Sequence, residues 1–132
     1  MVKISNFTLI ISIFALGFIL YPKLAVRLNK NIKHISAEEA HKLIIENKEL
    51  LVVDVRTPGE YKSGHIERAK SMPVGELSLR INELQRYKDK PLLVHCASGG
   101  RSPAAVRLLL KNGFTNVYHM KSGLSGWKYG LK

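Results

Sequence analysis

The chain has 132 residues, 45% of them hydrophobic and 23% charged, with 21 Lys/Arg against ten Asp/Glu for a net charge of +11. That length supports one ordinary domain with its own core and leaves no room for a second. A single cysteine excludes an internal disulfide, no CxxC or Cys/His cluster supplies four metal ligands, and the basic residues fall in no nucleic-acid motif.

From Ile4 to Pro22 the chain runs nineteen residues without a charge, "ISNFTLIISIFALGFILYP", with Lys3 before them and Lys23, Arg27, Lys30 and Lys33 after. As a helix the apolar part reaches roughly 27 Å, close to the hydrocarbon thickness of a bilayer. Residues 1–22 are therefore expected to form an N-terminal membrane anchor, a transmembrane helix followed by a basic juxtamembrane linker at 23–33. One basic residue before the segment against four after it places the following domain in the cytoplasm. The alternative is a signal peptide cleaved near the small-x-small site Ala15-Leu16-Gly17, which would export the domain.

Every acidic residue lies beyond position 33, so the globular domain is expected over 34–132. There, sixteen Lys/Arg against ten Asp/Glu leave it at +6, a balance that suits a site for small anions, a surface near anionic lipid, or simply a solvated basic exterior. Ser36 with Glu39 is a capping box, and Ala40, Leu43 and Ile44 stripe the helix it opens. "LLVVDV", Leu50 to Val55, reads as a strand buried on both faces. Thr57-Pro58-Gly59-Glu60 opens a short capped helix. Leu77, Ile81 and Leu84 mark another helix, and "PLLVHC", Pro91 to Cys96, a second buried strand. Ser102-Pro103 opens a helix through Leu110 that Gly113 ends, and "NVYHM" supplies one more strand. Alternating strands and helices predict an α/β domain: a small, mainly parallel sheet flanked by helices.

That order sets Cys96 at the carboxyl end of a buried strand, just before a helix, where open α/β sheets place their ligand sites. Gly99 and Gly100 allow the loop to curl so that several of the backbone N–H groups from Ala97 through Ser102 can point inward at the sulfur. The helix N-terminus and the permanent charge of Arg101 add positive potential, so the thiol is expected to be accessible and substantially ionised near neutral pH.

The chain resembles the rhodanese family of single-domain sulfurtransferases over residues 34–129. Three blocks carry the resemblance: "VDVRTPGEYKSGHIERAKSMP" at 53–73, the Cys-x-x-Gly-x-Arg loop met by Cys96, Gly99 and Arg101, and the terminal "HMKSGLSGW". Ser122 departs from the pattern, standing where many members have the first of two glycines. The resemblance implies transfer of sulfane sulfur from an anionic donor such as thiosulfate to a thiol or cyanide acceptor, through a persulfide on Cys96. It assigns Cys96 and Arg101 as catalytic. The loop Ala97, Ser98, Gly99, Gly100, Arg101 and Ser102 would bind substrate, and Asp54 and Arg56 would serve as structural support tying the strand end to the loop.

No cofactor or metal is implied. The expected partners are a small anionic sulfur donor, a thiol acceptor that could be a protein, and the membrane, with no nucleic acid. With one cysteine, the acceptor must be external. Two rival functions are a membrane-tethered sulfur-carrier or partner-binding module with little turnover, and a cysteine phosphatase or arsenate reductase. The latter needs five residues between Cys and Arg to enclose a tetrahedral oxyanion, and this loop has four. His65 and Trp127 read as structural, and alternation turns His95 to the face opposite that of Cys96.

Overall fold

The computed structural model describes residues 5–28 and 31–132, without the side chains of residues 22, 23 and 25–28. Five strands form one sheet in the order β1-β5-β4-β2-β3: β1 (Ile32–Ile35), β2 (Leu51–Asp54), β3 (Lys70–Ser71), β4 (Leu92–His95) and β5 (Val117–Met120). All four pairings are parallel. The connecting helices are α2 (Ala37–Glu46), α3 (Pro58–Lys62), α4 (Leu77–Arg80) and α5 (Ser102–Lys111), and α1 (Asn6–Leu28) precedes the sheet. The helix expected through Leu84 is α only over its first turn and tightens to a 3₁₀ segment over Ile81–Tyr87.

Period-two alternation along the central strands divides the core into two layers. Val53, Val94 and Cys96 face Leu77, Leu84, Val106 and Leu109, beneath α4 and α5. Val52 and Leu93 face Ala40, Ile66 and Met120, beneath α2, with Trp127 packed at the margin. The expected capping box at Ser36 is present, and the cap expected at Thr57 proves to be a second one. Ser36 accepts from the Glu39 N–H while Glu39 accepts from the Ser36 N–H, and Thr57 and Glu60 do the same. These short-range bonds fix where α2 and α3 begin, and hence where the strands before them stop.

Further departures from the sequence reading lie at β1 and at the N-terminus. Ile32 and Lys33, expected in the linker, belong to β1, and Lys33 Nζ donates to Asn116 Oδ1 at 3.0 Å beside β5. At the N-terminus, no helix is long and apolar enough, among the described residues, to cross a membrane, so the structure does not establish the expected span. What it shows is a helix whose described apolar side chains, Phe7, Ile10, Phe14 and Phe18 among them, are exposed. Lower down, α1 meets α5, and the Arg107 guanidinium lies 5.0 Å from the centre of the Tyr21 ring. Met1 to Ile4, Asn29 and Lys30 lie outside the described residues, as do the side chains of Lys23 and Arg27, so four of the charges expected to orient the chain fall outside the description.

Candidate active site

Cys96 is the first residue beyond β4, and α5 begins six positions later. Between them the chain curls over the sulfur, which Gly99 makes possible: its φ is +87°, and a Cβ there would collide with the Lys121 carbonyl oxygen. The Gly99 N–H consequently donates to Cys96 Sγ at 3.1 Å. The Ser102 hydroxyl lies 3.4 Å from Sγ. Of the loop amides from Ala97 through Ser102, several of which were expected to point at the sulfur, that of Gly99 does so.

Burial pushes the Cys96 thiol upward, but the Ser102 hydroxyl and the amides of Ser102, Arg101 and Gly99 outweigh it and hold the pKa below the usual thiol value. The depression therefore comes from dipoles of the loop. The expected accessibility is corrected: Cys96 is only 1% exposed, because the curl that aims the amides at the sulfur also covers it.

Arg101 differs from expectation as well. Its guanidinium makes a two-pronged pair with Glu60, Nη1 to Oε1 at 2.6 Å and Nη2 to Oε2 at 2.9 Å. Glu60 also accepts from the N–H and hydroxyl of Thr57 in the α3 capping box. The Arg101 hydrogen bond is the main reason the Glu60 carboxyl is lowered to about 2. Sequence reasoning saw Glu60 as a cap only. Its second role, as the resting partner of the loop arginine, follows from the fold bringing α3 beside the loop.

Asp54 and Arg56 form a buried pair, Nη2 to Oδ2 at 2.7 Å, and the same Nη2 donates to the Gly64 carbonyl at 2.7 Å. They brace the end of β2 against the segment around Gly64. Their tie to the active-site loop is indirect: the Val55 N–H donates to the His95 carbonyl, and His95 Nδ1 contacts the Cys96 carbonyl at 3.1 Å. His65 is stacked on Tyr61 with Nδ1 at 2.9 Å from the Tyr61 carbonyl, a structural role as expected.

The terminal block clamps the loop from the other side. The Leu124 N–H donates to the Cys96 carbonyl at 3.0 Å and the Ser125 N–H to the Ala97 carbonyl at 2.9 Å. Gly123 permits this approach at φ +61°, since a Cβ there would stand 2.5 Å from the Cys96 oxygen. Ser122 adopts φ −67°, ψ −20°, open to any residue, so its departure from the family pattern leaves the clamp intact. Two residues the sequence did not single out also reach the site. His119 Nε2 lies 2.7 Å from Ser102 Oγ, and His119 Nδ1 lies 3.1 Å from His34 Nδ1. The signal was present in "NVYHM", where a polar histidine occupies an inward position of a buried strand.

Comparison with known proteins agrees with this architecture. Residues 36–129 match the family described as Rhodanese-like domain. The uncharacterized protein YqhL of Bacillus subtilis is 33% identical over 124 residues, 94% of each chain. A sulfurtransferase of Allochromatium vinosum is 30% identical over 76% of this chain and 92% of its own length. Among solved structures, a rhodanese-like domain protein from Staphylococcus aureus superposes with a TM-score of 0.69 at 31% identity, covering 76% of this chain and 96% of that one.

Proposed function

The chain belongs to the rhodanese-like family, and from that premise we propose that it is a sulfurtransferase working through a persulfide on Cys96. The observation that carries the reading is the pair of groups placed to donate to an ionised Cys96 Sγ: the Gly99 N–H at 3.1 Å and the Ser102 hydroxyl at 3.4 Å. Such donors stabilise a thiolate before reaction and a persulfide anion after it, without rearranging. The thiolate attacks the outer sulfur of an anionic donor such as thiosulfate. A sulfur–sulfur bond forms at Cys96, the bond within thiosulfate breaks, and sulfite leaves with its electron pair. An external thiolate or cyanide then attacks the outer persulfide sulfur and restores the Cys96 thiolate. Arg101 turns from Glu60 toward the donor's sulfonate end and supplies charge and orientation. No oxidant is consumed.

Replacing Cys96 with Ser tests the proposal. The wild type is expected to show ping-pong kinetics with thiosulfate and cyanide, the variant no transfer with its fold unchanged. Near-wild-type activity in the variant would remove the assignment. A second reading, a sulfur carrier with little turnover, is favoured by the burial of Cys96 and the closed Arg101–Glu60 pair. It differs in one outcome: stoichiometric loading from a donor without steady-state turnover.

Membrane attachment through α1, with the domain on the cytoplasmic side, is part of the same proposal. It draws on the nineteen uncharged residues and on the exposed apolar side chains of α1.

A further inference from the structure

The sense in which α1 lies against the domain decides which edge of the sheet it points past. Both α1 and α5 end near the amino edge: Leu28 stands four residues before Ile32 of β1, Lys111 six before Val117 of β5, and Ile32 and Val117 are direct partners. Tyr21 of α1 meets Arg107 of α5, seven residues back from Leu28 and four back from Lys111. The two helices therefore run in the same sense, from the carboxyl edge of the sheet to its amino edge. From Arg107, α5 has five residues left before its start at Ser102, roughly 7 Å of helix, whereas from Tyr21 α1 has fifteen left before Asn6, roughly 22 Å. The apolar amino-terminal half of α1 thus outruns the domain past the carboxyl edge, and its side chains there, Phe7 and Phe14 among them, are exposed. That edge is where β4 ends at His95 and the Cys96 loop begins.

The domain's own surface on this edge agrees. Among the described residues outside α1, Leu79 is the most exposed large hydrophobic side chain, at 85%, and it stands in α4, the helix that follows the carboxyl end of β3. The Val74 N–H donates to the Val55 carbonyl, which pins the connecting segment beside the end of β2. Lys121, directly after β5, and Lys128 are exposed and line one groove with Ser36, directly after β1. Of the nearby acids, Glu60 pairs with Arg101, Glu76 with Arg80, and Glu39 caps α2, which leaves Glu38 against the two lysines.

We infer that the carboxyl edge of the sheet is the membrane-facing surface of the domain, which holds the Cys96 loop against a bilayer with anionic headgroups. Leu79 enters the interface, and Lys121 and Lys128 meet lipid phosphates, an attraction confined to charges within about a Debye length of the surface. The amino edge, where Lys90 lies 3.9 Å from Glu49 just before β4, faces water. Donor and acceptor are then exchanged at the membrane surface.

The inference rests on membrane attachment through α1 and not on the sulfur chemistry. The test uses the full chain carrying Cys96→Ser, with a single new thiol supplied by Leu79→Cys or by Lys90→Cys, both at exposed positions. Each is labelled with an environment-sensitive fluorophore and bound to vesicles of phosphatidylcholine and phosphatidylglycerol. Nitroxide-bearing lipid is expected to quench the label at position 79 and spare that at 90, and aqueous iodide to do the reverse. Lys121→Glu combined with Lys128→Glu is expected to weaken lipid quenching at position 79 while the chain still floats with the vesicles. Equal quenching at the two positions, or the reverse pattern, in a chain that floats overturns the orientation and leaves attachment standing. A chain that does not float removes attachment and orientation together.

Discussion

At the scale of single residues, the site is held by pairs whose members are far apart in sequence. Glu60 neutralises Arg101 across 41 positions while capping its own helix. Glu60→Gln is expected to release the guanidinium and remove a negative charge from the donor's path, lowering KM for thiosulfate severalfold while kcat changes little. An unchanged or raised KM in steady-state assays would show that Glu60 orients Arg101 for binding instead. Asp54→Ala is expected to destabilise the domain by about 3–5 kcal/mol, because it strands the buried Arg56 charge. Denaturant midpoints measure this, and a change below about 1 kcal/mol, the scale of an exposed ion pair, would mean that water reaches the pair. The cysteine, the loop glycines and the Asp54–Arg56 pair were legible in the sequence. The Arg101–Glu60 pair and the His119–His34 contact were not, since no local pattern encodes which side chains the sheet order brings together.

Among the elements, legibility follows the range of the interactions that define each one. The two capping boxes and the buried strands β2 and β4 declare themselves within a few residues, through side chain–backbone bonds and apolar runs. β1 and β3 do not. "IKHI" has an exposed lysine and a half-buried histidine, and β3 is two residues long, so each is a strand only because a distant ladder pairs it. The terminal 3₁₀ turn Gly123–Gly126 likewise takes its meaning from the loop it grips. Gly123→Ala is expected to displace the Cys96 and Ala97 carbonyls and reduce sulfur transfer on the order of 10²-fold, the penalty of a misplaced reacting group, with circular dichroism unchanged. Gly75→Ala, where a Cβ meets nothing within 4 Å, is the control. Equal activities in the two variants would remove the clamp from the account.

For the molecule as a whole, acid should weaken the fold through its buried histidines, His95 and His119, both lowered chiefly by burial, before it reaches the carboxylates. His119 titrates near 6.5 when unfolded and at about 4 when folded, so between these values the unfolded chain binds a proton the native one refuses. The stability this group contributes is complete above pH 6.5 and lost as pH falls through about 4. Glu60, lowered to about 2, adds a smaller loss below pH 4.5, screened by its exposure. Melting temperature is therefore expected to decline from pH 6.5 to 4, with a flatter profile in His119→Gln; parallel profiles would show that His119 is not the sensor. At the same scale, carbonate-washed membranes are expected to retain the full chain through α1, and a soluble mature form beginning near Phe18 would replace attachment with export. The central claim is that Cys96 carries sulfur, and intact-mass spectrometry of the full chain after incubation with thiosulfate tests it most directly. A gain of one sulfur atom in the wild type, removed by added thiol or cyanide and absent from Cys96→Ser, is the expected result; an unchanged wild-type mass, or the same gain in the variant, would contradict it.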